Sequence, residues 1–317
     1  MITRATVLIL GAGASYPYGY PLGQELVDNL VKDAIMPGSI LRQDLAAINE
    51  YDLNDMLIRR FGDELRASAS PSIDVFLESR SDFLEVGRVA IAAELLRCEN
   101  AGIFHLKKGW YPYLFNKMRD PGQFESFGEN KLSIVTFNYD RSLEYFLYTA
   151  LKNSFQNRQD EHVENFKRIP IIHVHGQLGP CPPHDGVWPY ATDIPPQRRR
   201  EFAAHLPNFA NQIKIIHEAT SDTAEFQTAH DVLSRAERVC FLGFGYHELN
   251  LKRLFNGVTL SPGVEFFACR YGLNESEKTD VQQLFTKNNI GARRTVWGNE
   301  DEDCYRFLRE HGALSSS

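Results

Sequence analysis

A short apolar run that ends in a glycine turn is the feature that most constrains the fold of this chain. Val7-Leu8-Ile9-Leu10 leads directly into Gly11-Ala12-Gly13-Ala14-Ser15, which we call the first glycine motif. An apolar run of this length, bounded by glycines, suits a strand that is buried on both faces of a parallel sheet. A Gly-x-Gly turn after such a strand lets a phosphate approach the backbone closely. The sequence therefore predicts a nucleotide-binding α/β protein, without indicating what happens to the nucleotide.

Further apolar segments alternate with helical patterns along the rest of the chain. Strands are predicted at 132–137, 169–174, 239–242, 264–268 and 294–297. Apolar residues recur with a helical period over 22–34, 141–152, 248–255, 275–285 and 304–311. This alternation predicts a Rossmann-like parallel sheet with helices on both faces, formed as a single domain over 1–317.

Two stretches depart from the alternation. Residues 38–128 are rich in Leu, Ala, Glu and Arg at helical spacing and have no segment typical of a strand. We interpret them as an all-helical insertion between the first and second strands. Residues 179–207 are rich in proline and have no regular period, which indicates a functional loop or lid.

Composition excludes several function classes. The chain has 317 residues, of which 43% are hydrophobic and 24% charged, and its formal net charge is −7. A negative net charge argues against a broad nucleic-acid surface. The densest basic cluster, Arg198-Arg199-Arg200, is interpreted as a solvated helix start. No segment approaches the roughly 20 apolar residues that a membrane-spanning helix needs, and no membrane association is expected.

The cysteines argue against a zinc site. The chain contains Cys98, Cys181, Cys240, Cys269 and Cys304, and no two of them form a Cys-x-x-Cys pair. Because a structural zinc site normally uses such local pairs, we expect no metal. Scattered cysteines without a secretory leader predict reduced thiols in a cytoplasmic protein.

Polar residues follow the second predicted strand. Asn138 and Asp140 lie just beyond the apolar run 132–137. Because ligands bind at the carboxyl ends of parallel strands, Asn138 is placed to face one. Asp140 is open to two interpretations, a ligand contact or a cap for the helix predicted from residue 141.

Two histidines follow the third predicted strand, at His173 and His175. Strand alternation predicts that both lie on one face, and His173 is interpreted as a satisfied core histidine. His175 precedes Gly176 at a strand end that we expect to be exposed, where a general base would be placed.

A second glycine turn, Gly243-Phe244-Gly245, follows the strand at 239–242 and precedes His247. Two such turns allow backbone to approach a nucleotide from two sides. The first glycine motif lacks the third glycine of the dehydrogenase fingerprint, because that position is Tyr16. No acidic residue ends a second strand about twenty residues later, so the chain is a poor match to a hydride-transferring dehydrogenase.

Taken in order, these motifs resemble the sirtuin superfamily. The resemblance rests on the first glycine motif, Thr136-Phe137-Asn138-Tyr139-Asp140, His175-Gly176 and Gly243-Phe244-Gly245, and it covers roughly 5–45 and 130–300. The chain lacks the paired cysteines of the deacylases, and it has Gly19-Tyr20-Pro21-Leu22-Gly23-Gln24 where they carry a Phe-Arg pair. With Ser72-Ile73-Asp74 opening a helix, it is similar to the sirtuin-like NAD hydrolases of bacterial antiphage systems.

The resemblance implies a set of roles. Asn138 and His175 are the expected catalytic residues: Asn138 orients the nicotinamide ribose or a water, and His175 acts as general base. Residues expected along the NAD substrate are Gly11, Ala12, Gly13, Ala14, Ser15, Pro21, Asp140, Gly243, Gly245 and His247. No zinc is expected.

The resemblance also implies partners and leaves alternatives. We expect a gated activity in a homo-oligomer or beside a HerA-type ATPase or other defence-system protein, with 38–128 as the candidate interface. One alternative is a zinc-free NAD-dependent deacylase or ADP-ribosyltransferase. The other is a non-catalytic NAD or ADP-ribose sensor.

Overall fold

A six-stranded parallel sheet lies at the centre of the fold. The computed structural model describes residues 1–48, 53–105, 108–180, 188–215 and 223–315. The strands are β1 (Thr6–Leu10), β2 (Leu132–Thr136), β3 (Ile171–His173), β4 (Arg238–Leu242), β5 (Glu265–Ala268) and β6 (Arg294–Trp297). Their order across the sheet is β3-β2-β1-β4-β5-β6, and all neighbours are parallel. This confirms the predicted Rossmann-like α/β fold.

The order of the strands reverses beside β1. The chain moves outward from β1 through β2 to β3, then returns to place β4 on the other side of β1. Thr6 is in register with Leu132 of β2 and with Arg238 of β4. The carboxyl ends of β1, β2 and β4 therefore lie side by side, and open sheets bind ligands in the crevice at such a reversal.

Fourteen α-helices surround the sheet in the described residues. They are α1 (Ala12–Ser15), α2 (Gly23–Ile35), α3 (Ile40–Ala46), α4 (Asp55–Ala67), α5 (Ile73–Ser79), α6 (Leu84–Cys98), α7 (Trp110–Met118), α8 (Ser142–Ser154), α9 (Gln159–Lys167), α10 (Arg199–Ala210), α11 (Ala224–Ser234), α12 (Glu248–Phe255), α13 (Glu275–Lys287) and α14 (Cys304–Glu310). The predicted helices coincide with α2, α8, α12, α13 and α14, with small shifts at their ends.

Alternating residues of β1 divide the apolar interior into two cores. Leu8 and Leu10 belong to the core that contains α2, α8, α10 and α14, whereas Val7 and Ile9 belong to the core that contains α11, α12 and α13. All five residues of β1 are buried. Burial on both faces explains why this strand is apolar without interruption.

The described residues between 38 and 128 contain helices and 3₁₀ turns but no strand. Their helices begin at polar caps: Ser39 Oγ, Asn54 Oδ1 and Ser72 Oγ accept hydrogen bonds from the backbone N–H groups two or three residues into α3, α4 and α5. The apolar faces of α3, α4 and α6 join the same core as α2 and α10. The insertion is thus packed continuously with one face of the sheet domain.

The stretch 179–207 differs from the predicted loop at its carboxyl end. Helix α10 covers Arg199–Ala210 and includes Pro207, so residues 199–207 are helical. Phe202, Ala203 and Leu206 form its buried face, and this packing overrides the proline signal. Residues 181–187, including Cys181, lie outside the described residues.

The basic cluster is mostly neutralised by neighbouring groups. Arg198 forms an ion pair with Glu201 and lies over the Trp188 ring, and Arg199 approaches the buried carboxylate of Asp44. Arg200 is exposed. The local environment agrees with the interpretation of this cluster as a helix start.

A buried ion pair ties the insertion to the sheet. Arg141, which immediately precedes α8, donates to both carboxylate oxygens of Glu99 at the end of α6, at 2.7 and 3.0 Å. Its guanidinium also donates to the carbonyls of Pro180 and Trp188, both at 2.9 Å. Both charged side chains are almost fully buried. A bidentate pair with additional acceptors can offset the cost of burying two charges, whereas either charge alone cannot be accommodated.

Replacing Glu99 by Gln is therefore expected to destabilise the protein strongly. The change leaves the Arg141 charge buried without its counter-ion, and the free energy of unfolding should fall by about 3–5 kcal/mol. Urea unfolding measures the effect. The control is Glu248→Gln, which breaks an exposed pair with Lys287 and should leave stability nearly unchanged. Equal stability of the two variants would contradict the assignment.

Candidate functional site

Two glycine turns contact each other at the carboxyl ends of β1 and β4. The backbone N–H of Gly11 donates to Leu242 O (3.1 Å), and that of Gly13 donates to Gly243 O (3.0 Å). A Cβ atom on Gly11 would lie 2.6 Å from Gly243 O, and one on Gly243 would lie 2.0 Å from the Ala14 nitrogen. These glycines are required because the two turns approach each other closely. The two turns converge, as expected, and they pack directly against each other.

The first glycine motif is only partly accessible. Gly11, Ala14 and Ser15 are buried, whereas Ala12 and Gly13 are half-buried. The amides of Gly13 and Ala14 donate inside the protein, to Gly243 O and Gly11 O. Ala12 and Gly13 are consequently the part of the motif that can face a ligand.

The side chain of Asn138 is hydrogen-bonded to the first glycine motif. Its side-chain Nδ2 donates to Gly11 O (2.9 Å) and to Ser15 Oγ (3.0 Å). Because Gly11 O can only accept, the orientation of the amide is determined. None of the described residues donates to Asn138 Oδ1, and the side chain is half-buried. The amide therefore presents a positioned acceptor at the sheet edge.

Asp140 is buried next to Ser15, the residue to which Asn138 donates. Its Oδ2 accepts from Ser15 Oγ (2.6 Å), and its Oδ1 accepts from the backbone N–H of Ser142, the first residue of α8 (3.1 Å). Burial raises the pKa of the Asp140 carboxyl, although its hydrogen bonds to Ser142 and Ser15 act in the opposite direction. Of the two interpretations, the geometry favours a helix-start role that also positions Ser15.

His173 is the satisfied core histidine that was predicted. Its Nδ1 bonds to Asn138 O (2.9 Å), and its Nε2 bonds to the carboxylate of Glu144 on α8. Burial opposes protonation, but the Glu144 charge and hydrogen bond outweigh it and raise the pKa of His173. Glu144 could not be identified as this partner from the sequence, because it lies on a helix that precedes His173 by 29 positions.

The expectation that His175 lies on an exposed strand end is wrong. β3 ends at His173, and the chain turns at Val174 because Gly176 pairs with Ile213 and the Lys214 N–H donates to His175 O. His173 bonds to Glu144 of α8, whereas His175 packs against Phe226 of α11, which belongs to the other core, so the two histidines do not share a face. The His175 ring packs between Phe137 and Phe226, with centroid distances of 5.2 and 6.4 Å.

Burial changes the pKa of His175. Loss of hydration, assisted by the positive charge of Arg253, lowers the pKa of His175 to about 4. In the part of the chain that the structure describes, its Nε2 has no hydrogen-bond partner. An unsatisfied buried nitrogen is uncommon and calls for an explanation, such as a bound water or a ligand. The imidazole is therefore neutral at pH 7, and with a pKa near 4 it is a weak base in this conformation.

Other residues at this edge were not found from the sequence. Tyr139 OH donates to Asp74 on α5, so the insertion reaches the end of β2. Burial raises the pKa of Asp74. Arg253 lies on α12, within electrostatic range of both His175 and Glu78 of α5. Asp74 was noted only as part of a helix start, and Arg253 belongs to an ordinary amphipathic helix that carries no motif.

The remaining predicted nucleotide residues lie at the periphery. Pro21 is half-buried just before α2. Gly245 and His247 are exposed immediately before α12, and His247 is the residue at which that helix begins. No hydrogen bond among the described residues joins these three to Asn138 or His175. Their predicted contacts with a nucleotide stay predictions.

The clefts elsewhere on the surface contain none of the predicted site residues. A cleft of about 330 Å³ beside α9 is lined by four acidic residues among eight, and another cleft is lined by residues of α13. Among the described residues, no three His, Cys, Asp or Glu side chains are arranged to hold a metal ion. No helix that the structure describes is long and apolar enough to cross a membrane.

Comparison of the sequence with models of protein families and with curated proteins finds no match.

Gly243→Ala is expected to destabilise the protein by more than about 2 kcal/mol, because its Cβ would clash with the first motif and its φ of 55° disfavours a side chain. Thermal unfolding measures the effect. The matched control is Gly245→Ala, whose Cβ meets open space. Equal melting temperatures for the two variants would show that the turns do not contact each other as described.

His175 also predicts a pH-dependent stability. The unfolded chain takes up a proton near pH 6.5, whereas folded His175 resists it until about 4. Stability is therefore present above pH 6.5 and is lost as the pH falls. Between pH 7 and 5 the wild type should lose about 2 kcal/mol that His175→Phe does not lose.

Urea unfolding at the two pH values measures this difference. The control is His105→Gln, which changes an exposed histidine and should keep the wild-type pH dependence. If His175→Phe lost stability in parallel with the wild type, a buried neutral His175 would be excluded.

Proposed function

We propose that this protein is a sirtuin-like NAD hydrolase, which cleaves the nicotinamide–ribose bond of NAD to give ADP-ribose and nicotinamide. The observation that carries the proposal is the pairing of the two glycine turns at the β1–β4 reversal, with Asn138 hydrogen-bonded to the first turn. In Rossmann-like sheets the crevice at this reversal is where dinucleotides bind. The order of the motifs resembles that of the sirtuin superfamily, and this resemblance favours cleavage of NAD over hydride transfer.

The polar atoms at this edge fit such a substrate. Asn138 Oδ1 and His175 Nε2 are two polar groups near this edge to which the described residues offer no hydrogen-bond partner. Asp140, Glu144 and His173 are all engaged in internal hydrogen bonds. In the proposed site, a ribose hydroxyl or a water donates to Asn138 Oδ1, and His175 Nε2 accepts in the tautomer that carries its proton on Nδ1. Half-buried Ala12 and Gly13 offer backbone beside them, where the pyrophosphate is proposed to lie.

The proposed reaction adds one water across the C–N bond. Nicotinamide leaves with the bonding electron pair as a neutral molecule, water oxygen bonds to the ribose carbon, and one proton is released. Asn138 Oδ1 orients the water or a ribose hydroxyl, and His175 Nε2 takes the proton. Exclusion of water by Phe137 and Phe226 suits a reaction whose cationic substrate loses its charge.

The burial of His175 supports a gated activity. The ring is enclosed by aromatic side chains, and Asp74 connects the insertion to Tyr139 next to the site. We propose that substrate reaches His175 after a rearrangement driven by homo-oligomer assembly or by a partner such as a HerA-type ATPase. Such gating suits a cytoplasmic effector of antiphage defence that depletes NAD.

Removal of the proposed catalytic groups tests the function. His175→Ala and Asn138→Ala should each lower NAD hydrolysis by about a hundredfold to ten-thousandfold, as expected for loss of a positioned base or its partner. Chromatographic quantification of ADP-ribose and nicotinamide measures these rates.

Circular dichroism confirms folding of each variant, and Lys131→Ala, at an exposed position just before the amino end of β2, is the control that should keep full activity. Full turnover by folded His175→Ala would overturn the assignment. The same assay with an acylated peptide separates the alternatives: deacylation or ADP-ribose transfer that requires the peptide would indicate a transferase. Binding of NAD without any product in every assembly state would indicate a sensor.

A further inference from the structure

The main chain of Asn138 is held by hydrogen bonds in addition to those of its side chain. Its backbone N–H donates to Thr136 Oγ1 (3.0 Å), and its carbonyl oxygen lies 2.9 Å from His173 Nδ1. Because the side-chain amide donates to Gly11 O and Ser15 Oγ, every N–H of this residue is engaged. Among the described residues, Oδ1 is the polar atom of Asn138 that has no partner, so it is the acceptor available to a ligand.

The contact with Asn138 determines where His173 carries its protons. A carbonyl oxygen only accepts, so His173 Nδ1 carries a hydrogen and donates to Asn138 O. His173 Nε2 faces the carboxylate of Glu144, and it donates to a carboxylate only when the ring is an imidazolium. Burial lowers the pKa of His173, but the charge and hydrogen bond of Glu144 outweigh it, and Asp140 acts in the same direction as Glu144. The net pKa is raised, which agrees with the charged ring.

The ion pair between His173 and Glu144 is enclosed by the fold. Their side chains are only 7% and 5% exposed. Glu144 lies in the first turn of α8, and His173 is the last residue of β3, which pairs directly with β2. Gln177 Nε2 donates to the same carboxylate oxygen of Glu144 (3.4 Å). Because separating two buried charges is costly, the pair fixes the imidazole ring at the point where it meets Asn138.

We propose that His173 and Glu144 form a positioning pair for Asn138, in which the His173 ring holds the Asn138 carbonyl and Glu144 holds the ring with its Nδ1–H directed there. Both side chains are buried, so they act through Asn138 and do not meet the substrate. Without the Nδ1 hydrogen, a nitrogen lone pair would face the carbonyl oxygen, and Asn138 Oδ1 would move away from the ribose. A displacement of about 1 Å costs roughly a hundredfold in rate. The catalytic part of this inference rests on the proposed function, whereas the ion pair itself does not.

Nitrogen-15 NMR of the histidine rings tests the ion pair in the full chain, without substrate. At pH 7 the wild-type His173 ring is expected to carry protons on both nitrogens, and comparison with His173→Asn assigns its signals. Glu144→Gln should leave one proton, on Nδ1, because the introduced amide can donate to Nε2. A wild-type His173 ring with one proton would overturn the positioning pair, and so would two protons in Glu144→Gln.

Two double variants separate positioning from a merely structural role. Both contain Glu144→Gln, which removes the buried negative charge. Adding His173→Asn places an amide N–H near the position of Nδ1, where it can donate to Asn138 O. Adding His173→Gln places the amide near the position of Nε2, too far from that carbonyl. In NAD hydrolysis, kcat of the double variant with His173→Gln should be about tenfold to a hundredfold below that of the double variant with His173→Asn, at similar KM.

Urea unfolding checks that the two double variants are equally folded under the assay conditions, and Lys131→Ala is the control that should keep the wild-type rate. Equal kcat values for the two folded double variants would overturn the positioning role. If the wild type hydrolyses no NAD in any assembly state, the proposed function and the catalytic role of the pair fail together. The NMR measurement decides separately whether His173 and Glu144 form the charged pair.

Discussion

Backbone contact between the turns after β1 and β4 is the constraint on which the site depends. Gly13 donates to Gly243 O, and each turn occupies the volume that a Cβ of the other would need. This contact closes the sheet edge at the point where the strand order reverses. It also explains the glycines without any ligand, because their spacing follows from two backbones that must meet. A nucleotide at this edge contacts a surface that is already assembled.

Buried polar contacts extend this arrangement into the helices. Asn138 bonds to Ser15, Ser15 bonds to Asp140, and Asp140 receives the first backbone N–H of α8. One residue farther on, Arg141 forms its buried pair with Glu99 of the insertion. Consecutive residues after β2 therefore connect the sheet edge, α8 and the insertion. Their positions are coupled because each buried polar group requires its partner.

The strands and helices were predictable because their sequence patterns are local. The candidate site was predictable only in part. Apolar runs identified the sheet strands because residues buried on both faces leave no alternation to misread. The convergence of Gly11 and Gly243 follows from parallel topology. The surroundings of His175 do not, because they are set by the pairing of Gly176 with Ile213, which is far away along the chain. Glu144, Asp74 and Arg253 were missed for the same reason: helix packing brings them to the edge, and no local pattern records it.

The burial of His175 affects both the proposed chemistry and its proposed control. The imidazole is neutral and has an unused nitrogen, but a pKa near 4 makes it a weak base, and the enclosing Phe137 and Phe226 rings keep solvent from it. In the proposed reaction, the desolvation that lowers this pKa would also keep substrate away from the ring in this conformation. A rearrangement that opened the site would restore hydration and make His175 a stronger base, so access and basicity would rise together. An NAD hydrolase built in this way would be inactive until an assembly or a partner opened it.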